Sequence, residues 1–421
     1  MRPPARGTAR LLYGAGLAAA LTLPAAVAPA HAVPHSRTPA VVPAADGAKG
    51  QELPGMPTVL DSRQGEVSCT PASKATAEKQ DWSRQRLDLD RLHRHATGQG
   101  TTVALISTGV DPKAAGLGGR VTASGDAADD CVGLGTFLAG IVAGDGGGSP
   151  RLAGAAPAAR ILGLRGTDRT GVPQPGLVTA AVRAATEAKA DVIAVAVALP
   201  RRDAALTRAV ADARKAGALV VAAATPETPA RGSADEIPAR TYWPAGEPGV
   251  LSVADMLPAG SRPDRALTTG DVDLAAPGAG VVSGGPRGKG HYLGGGVAVA
   301  TAYAAGAAAV VRAAHPDASA EEAARRLTAT AYPADIPQLD AYAAVTTVRA
   351  GSGAPAAGPP PAAEPVAVRD TSGTDRATGR AVLFVLLGSA GVLSLLWAGF
   401  ALSRARSRGW RPAGADTAGE H

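Results

Sequence analysis

A serine hydroxyl becomes a nucleophile when a histidine takes its proton, so histidines and the serines near them are where hydrolytic chemistry could reside. The chain has seven histidines. His31 lies in an apolar N-terminal stretch and His421 ends the chain, which leaves His35, His93, His95, His291 and His315. His93 and His95 precede the first strand-like run, and His315 closes a long Ala-rich segment. Only His291 stands near a motif, shortly before Ala298, and its nearest serine is Ser283. A base must reach its nucleophile within hydrogen-bond distance, and no such pair is apparent, so His291 reads as an exposed loop histidine. The two cysteines, Cys69 and Cys131, lack a CxxC or Cys/His neighbour. Neither a metal centre nor a cofactor is therefore expected.

The elements that would position a site come as apolar runs alternating with helical ones. Val103–Ile106, Arg160–Leu164, Asp191–Val197 and Leu219–Ala224 read as buried strands, with Gly249–Val253, Asp271–Ala275 and Gly280–Ser283 as shorter ones. Between them Gly135–Ala143, Leu177–Ala188 and Ala204–Lys215 carry helical periodicity, and a long helix follows over about Ala298–His315. A further helix opens near Asp317 or Ser319, with acids in its first turn. Continuous apolar strands separated by amphipathic helices predict an α/β fold with a doubly wound parallel sheet.

The 421 residues are 46% hydrophobic, enough for one large core, and carry a formal charge of +6. No run of five or six basic residues marks a nucleic-acid site. Much of the excess flanks apolar segments at the two ends. Arg2, Arg6 and Arg10 precede Leu11–Leu23, and Ala30-His31-Ala32 is a small-x-small cleavage site, so residues 1–32 read as a signal peptide. Residues 33–95 read as an N-terminal extension lying on the surface, with a short helical stretch before His95. The main domain is expected over residues 96–348 and a Pro/Ala/Gly-rich linker over 349–380. Residues 381–402 have the length and apolarity of a transmembrane helix. Arg404, Arg406, Arg408 and Arg411 follow, which predicts a cytoplasmic tail at 403–421 and an extracytoplasmic domain. An even cysteine count in an exported chain suggests a disulfide.

Five segments recur in a telling order: Val103-Ala104-Leu105-Ile106-Ser107-Thr108-Gly109-Val110-Asp111; Asp130-Cys131-Val132-Gly133-Leu134-Gly135-Thr136; Gly154-Ala155-Ala156-Pro157; Ala275-Ala276-Pro277-Gly278; and Gly296-Val297-Ala298-Val299-Ala300. Together they resemble the motifs of the subtilase family, and more narrowly those of the mycosins, membrane-anchored subtilases associated with type VII secretion. The resemblance covers about residues 69–348. It implies a subtilisin-like, three-layer, doubly wound parallel sheet. It also implies a bridge between Cys69 and Cys131, which fall where mycosins join the extension to the cysteine beside the catalytic histidine. The second bridge of mycosins has no cysteines here.

The resemblance also assigns the reactive positions, and each is altered. Ser107 stands where the family carries its catalytic aspartate, Leu134 where it carries histidine, and Ala298 where it carries serine. Pro226, after Val220-Val221-Ala222-Ala223-Ala224-Thr225, stands where an asparagine helps to bind the oxyanion. Asp111 is no substitute, because the family has its own aspartate there, and the chain contains no asparagine anywhere. Leucine and alanine cannot move a proton or attack a carbonyl. The expected protein is a pseudoprotease: an extracytoplasmic scaffold among type VII secretion membrane subunits, or a docking module for secreted peptides. An active endopeptidase processing secreted substrates is the alternative.

Overall fold

The computed structural model describes residues 52–61, 67–146, 150–227, 239–270, 272–348 and 372–409. The expected signal peptide and most of the expected linker lie outside these residues. In chain order the elements are α1 (Trp82–Arg86), α2 (Leu89–Leu92), β1 (Thr102–Ser107), β2 (Val121–Thr122), α3 (Leu134–Ala143), β3 (Arg160–Arg165), α4 (Pro175–Glu187), β4 (Val192–Val195), α5 (Ala204–Lys215), β5 (Leu219–Ala223), β6 (Leu251–Met256), β7 (Leu274–Pro277), β8 (Val281–Gly284), β9 (His291–Gly294), α6 (Val297–Ala314), α7 (Ala320–Ala329), α8 (Ala341–Thr346) and α9 (Ser372–Ser407).

The main sheet has seven strands in the order β2-β3-β1-β4-β5-β6-β7, all parallel. Its central strands are continuous apolar runs because both faces are covered. Val103 and Leu105 of β1 join a core shared with α3 and α6, while Ala104 and Ile106 face the other way into a core with α4 and α5. The same alternation separates Val192 and Ala194 from Ile193 and Val195 on β4. This is the expected three-layer doubly wound architecture. The strand order reverses at β1, and in open α/β sheets ligands bind at the carboxyl ends beside such a reversal. Ser107 is the last residue of β1.

Local chemistry sets the helix starts. Asp203 accepts from the amides of Ala205 and Leu206 ahead of α5. Ser319, rather than Asp317, caps α7 by accepting from Glu322 N–H. Some boundaries differ from expectation. The strand expected over Gly249–Val253 runs over Leu251–Met256, and α3 begins at Leu134. The hairpin β8–β9 is antiparallel, and its second strand was not expected.

The extension is more than a surface wrap. Ser83 and Arg84 of α1 are fully buried, as are Leu89 and Leu92 of α2. Upstream, the Met56 amide donates to the Leu293 carbonyl at 2.8 Å, and Leu293 N–H donates to the Pro54 carbonyl at 2.9 Å. The extension therefore continues the edge of β9. Cys69 and Cys131 form a disulfide across a sequence separation of 62. Closing a loop of that size stabilises the fold by about 4 kcal/mol in the chain-entropy model. The double variant Cys69→Ser, Cys131→Ser is expected to lose about this much in urea unfolding. A loss near zero would show that the bridge constrains nothing.

α9 is described on its own. An 18-residue window within its segment Ala381–Ser407 has a mean hydropathy of 2.2, and the helix is long and apolar enough to cross a membrane.

Candidate functional site

The end of β1 and the start of α3 are held together by one buried carboxylate. Asp130 accepts from Thr108 Oγ1 at 2.8 Å, Gly133 N–H at 2.8 Å, Thr136 N–H at 2.7 Å and Thr136 Oγ1 at 2.8 Å. Thr108 Oγ1 in turn accepts from Gly135 N–H at 2.8 Å. Burial pushes the Asp130 carboxyl upward, and the donors from Thr136, Thr108 and Gly133 oppose that shift. Gly135 packs so closely on Gly109 that no Cβ would fit against the Gly109 carbonyl. Leu134 therefore sits directly beside the exit of β1.

Beyond these elements lies a cavity of about 140 Å³. Leu134, Thr108, Ala196, Val197, Ala198 and Pro226 are among its walls. Two of the four sequence-derived positions, Leu134 and Pro226, thus face one space. The other two are not among its walls. Ser107 is fully buried, and its Oγ has no hydrogen-bond partner among the described residues. Ala298 is buried in the first turn of α6. The walls are mainly apolar, so a developing charge would find little stabilisation from them.

No described histidine lines this cavity. His93 Nε2 contacts the Ala155 carbonyl at 3.2 Å, and His315 Nε2 contacts that of Val345 at 2.9 Å. His95 packs edge-on against Tyr342. His291 corrects its sequence reading as an exposed loop residue, because it opens β9 and is half-buried. Its Nδ1 accepts from Ala77 N–H at 3.0 Å. Burial lowers its pKa, with a contribution from Arg84. Both His291 and Ser283 line a second depression of about 280 Å³, floored by Gly140, Gly144, Gly284 and Gly290. The Ser283 hydroxyl donates to the Phe137 carbonyl at 2.8 Å, so its proton is already committed there.

Sequence reasoning missed Glu227. It follows Pro226, lines the same cavity as Leu134, and its Oε1 accepts from Ala298 N–H at 2.8 Å. Burial, reinforced by the neighbouring Asp255 carboxylate, pushes Glu227 up to about 7. Its place immediately after Pro226, which the sequence reading singles out, was the one signal that could have drawn attention to it.

Comparison with known proteins adds to this geometry. The Subtilase family model matches residues 98–375. Mycosin-3 of Mycobacterium tuberculosis (strain ATCC 25618 / H37Rv) is 31% identical over 378 residues, covering 73% of this chain and 81% of that protein. Mycosin-4 of the same organism is 30% identical over 416 residues, covering 85% and 89%. Among solved structures, MycP1 from Mycobacterium smegmatis has a TM-score of 0.58 at 25% identity, covering 68% of this chain and 90% of that one. The MycP3 protease from the type VII (ESX-3) secretion system has a TM-score of 0.56 at 27% identity, covering 66% and 92%.

Proposed function

The chain belongs to the subtilase family and is mycosin-like within it, and on that footing we propose that it is a non-catalytic member, an extracytoplasmic scaffold of a type VII secretion membrane complex. One observation carries the proposal: among the described residues, no histidine stands in the walls of the cavity beside β1, α3 and α6. Ser107, Leu134 and Ala298 stand in for the aspartate, histidine and serine of the family, and Pro226 stands in for its oxyanion asparagine. Without a base, no serine hydroxyl in this cleft is activated. In a subtilisin, losing the triad costs on the order of a millionfold in turnover.

The organisation proposed with this reading is a signal peptide at 1–32, an extension at 33–95 and a protease-like domain at 96–348. A linker at 349–380, a membrane crossing at 381–402 and a cytoplasmic tail at 403–421 complete it. Arg404 and Arg406 in the last turn of α9 support the cytoplasmic assignment. The relatives support the pathway, since one similar structure, the serine protease MycP1, is an essential component of the type VII (ESX-1) secretion system. A scaffold needs the fold's surfaces and an anchor, and α9 is long and apolar enough to serve as one.

The full chain, purified in detergent, is expected to take no label from a fluorophosphonate serine probe and to cleave no member of a broad peptide library. It is also expected to co-purify with secretion-channel membrane subunits when expressed in its own host. Labelling abolished by replacing one serine would overturn the non-catalytic reading and restore the endopeptidase alternative. Recovery of the anchored chain free of channel subunits would overturn the scaffold.

A further inference from the structure

The cleft already contains a carboxyl group, and the chain itself supplies it. Glu227 leaves β5 behind Pro226 and reaches the start of α6, where Oε1 meets Ala298 N–H at 2.8 Å. The Val297 amide also acts on this carboxyl. α6 has no side-chain cap from its N-cap residue Gly296, so the first-turn amides need an external acceptor. Gly296 has φ 101°, a left-handed value, and a Cβ there would collide with Glu227 Oε2. The glycine and the glutamate fit each other.

A second, independent observation concerns the mouth. Thr58 and Val59 of the extension line the same cavity as Glu227. Leu60 N–H donates to the Thr170 carbonyl at 2.8 Å. A Cβ added to Gly171 would lie 2.7 Å from the Thr58 carbonyl oxygen. Residues 58–60 thus run along the Thr170–Gly171 turn at the mouth of the cleft and occupy the Thr170 carbonyl, a backbone acceptor that an extended peptide lying there would otherwise meet.

We propose that the cleft is self-occupied: Glu227 takes the α6 amides that a bound peptide's carbonyl would use, and Thr58–Leu60 takes the adjoining edge. An extended peptide enters only by displacing both. This inference stands on the position of Glu227 and of the strap, and it holds whether or not the cleft can cleave peptides.

The titratable surroundings make the arrangement measurable. Among the described residues, Asp255 of β6 is the charged group acting on Glu227, and Asp255 is itself paired with Arg262 at 3.5 Å. The first turn of α6, Leu134 of α3, and Thr58, Thr108, Thr167 and Thr225 contribute no charge. Burial raises Glu227 from an ordinary 4.5 to about 7. A raised acid favours the protonated folded state, so its contribution is complete below about 4.5 and is lost as the pH climbs through about 7.

The experiment uses the full chain in detergent with three variants: Glu227→Gln, Glu227→Ala and Gly296→Ala. Glu227→Gln keeps the acceptor without the charge. Its Tm should match wild type near pH 5 and exceed it by roughly 5 °C at pH 8. Glu227→Ala empties the position. Amide exchange in the first turn of α6 should then rise about tenfold. Sodium propionate should raise the Tm of this variant beyond ionic-strength-matched chloride, with no such effect on wild type. Gly296→Ala should reproduce the faster exchange. Parallel pH profiles for Glu227→Gln and wild type would overturn the proposal. Unchanged exchange in Glu227→Ala, or equal effects of propionate on both proteins, would do the same. If Glu227→Ala fails to fold, the Glu227→Gln profile alone decides.

Discussion

Replacing Arg84 with leucine is expected to lower the unfolding free energy by about 3–5 kcal/mol. Arg84 is 1% exposed, and every arm of its guanidinium is used. Nε donates to the Ala153 carbonyl, Nη1 to Val282 and Nη2 to Leu152, each at 2.9 Å. Nη1 also pairs with Asp81 Oδ2. Asp81 caps α1 through the Arg84 amide, and it accepts from Val282 N–H at 2.9 Å. Leucine would fill part of the volume but leave three carbonyls without their donor and a buried carboxylate without its cation. Arg84→Lys should recover little, since one ammonium cannot reproduce the planar fork. Urea unfolding of the two variants checks this, and a loss below about 1 kcal/mol for Arg84→Leu would rule out the network as a major stabiliser.

The second large effect concerns Asp130. Asp130→Ala should cost about 3–5 kcal/mol, because it strips the acceptor from the Gly133 and Thr136 amides and from the Thr108 and Thr136 hydroxyls inside a closed loop. Asp130→Asn keeps the shape but turns an amide nitrogen toward a donor, so roughly half the loss is expected. The two variants separate shape from charge. Equal stability of Asp130→Asn and wild type in urea would mean that the carboxylate is not needed to fix the start of α3. Collapse of the loop would reach the cleft directly, because Leu134 is the first residue of that helix.

Much of the fold was legible because its central strands obey simple rules. Val192–Val195 and Leu219–Ala223 are apolar without a break and lie under helices on both faces. The pattern failed where length or context ruled. Val121–Thr122 is too short to carry a period. His291–Gly294 owes its strand to pairing with β8 and with the Pro54–Met56 backbone, which no local pattern encodes. At the site, motif order singled out Ser107, Leu134, Pro226 and Ala298, of which Leu134 and Pro226 line one cavity. Glu227 and Arg84 remained hidden because the Ala298 amide lies 71 residues from the first, and the Leu152, Ala153 and Val282 carbonyls lie 68, 69 and 198 residues from the second. Their roles arise from contact across the fold and have no spacing signature.

That long-range character has a consequence for the order of assembly. Trp82 Nε1 bonds the Ala279 carbonyl across 197 residues, and Asp81 meets Val282 across 201. The extension precedes the sheet in the chain, yet its anchoring groups wait for a hairpin made near the end of the domain. Loop closure of that length opposes early formation, so these contacts are expected among the last to form. A nascent chain emerging N-terminus first would therefore carry a loose leading arm until residue Val282 had arrived. Resistance of the arm to a protease should appear late, in step with completion of the domain.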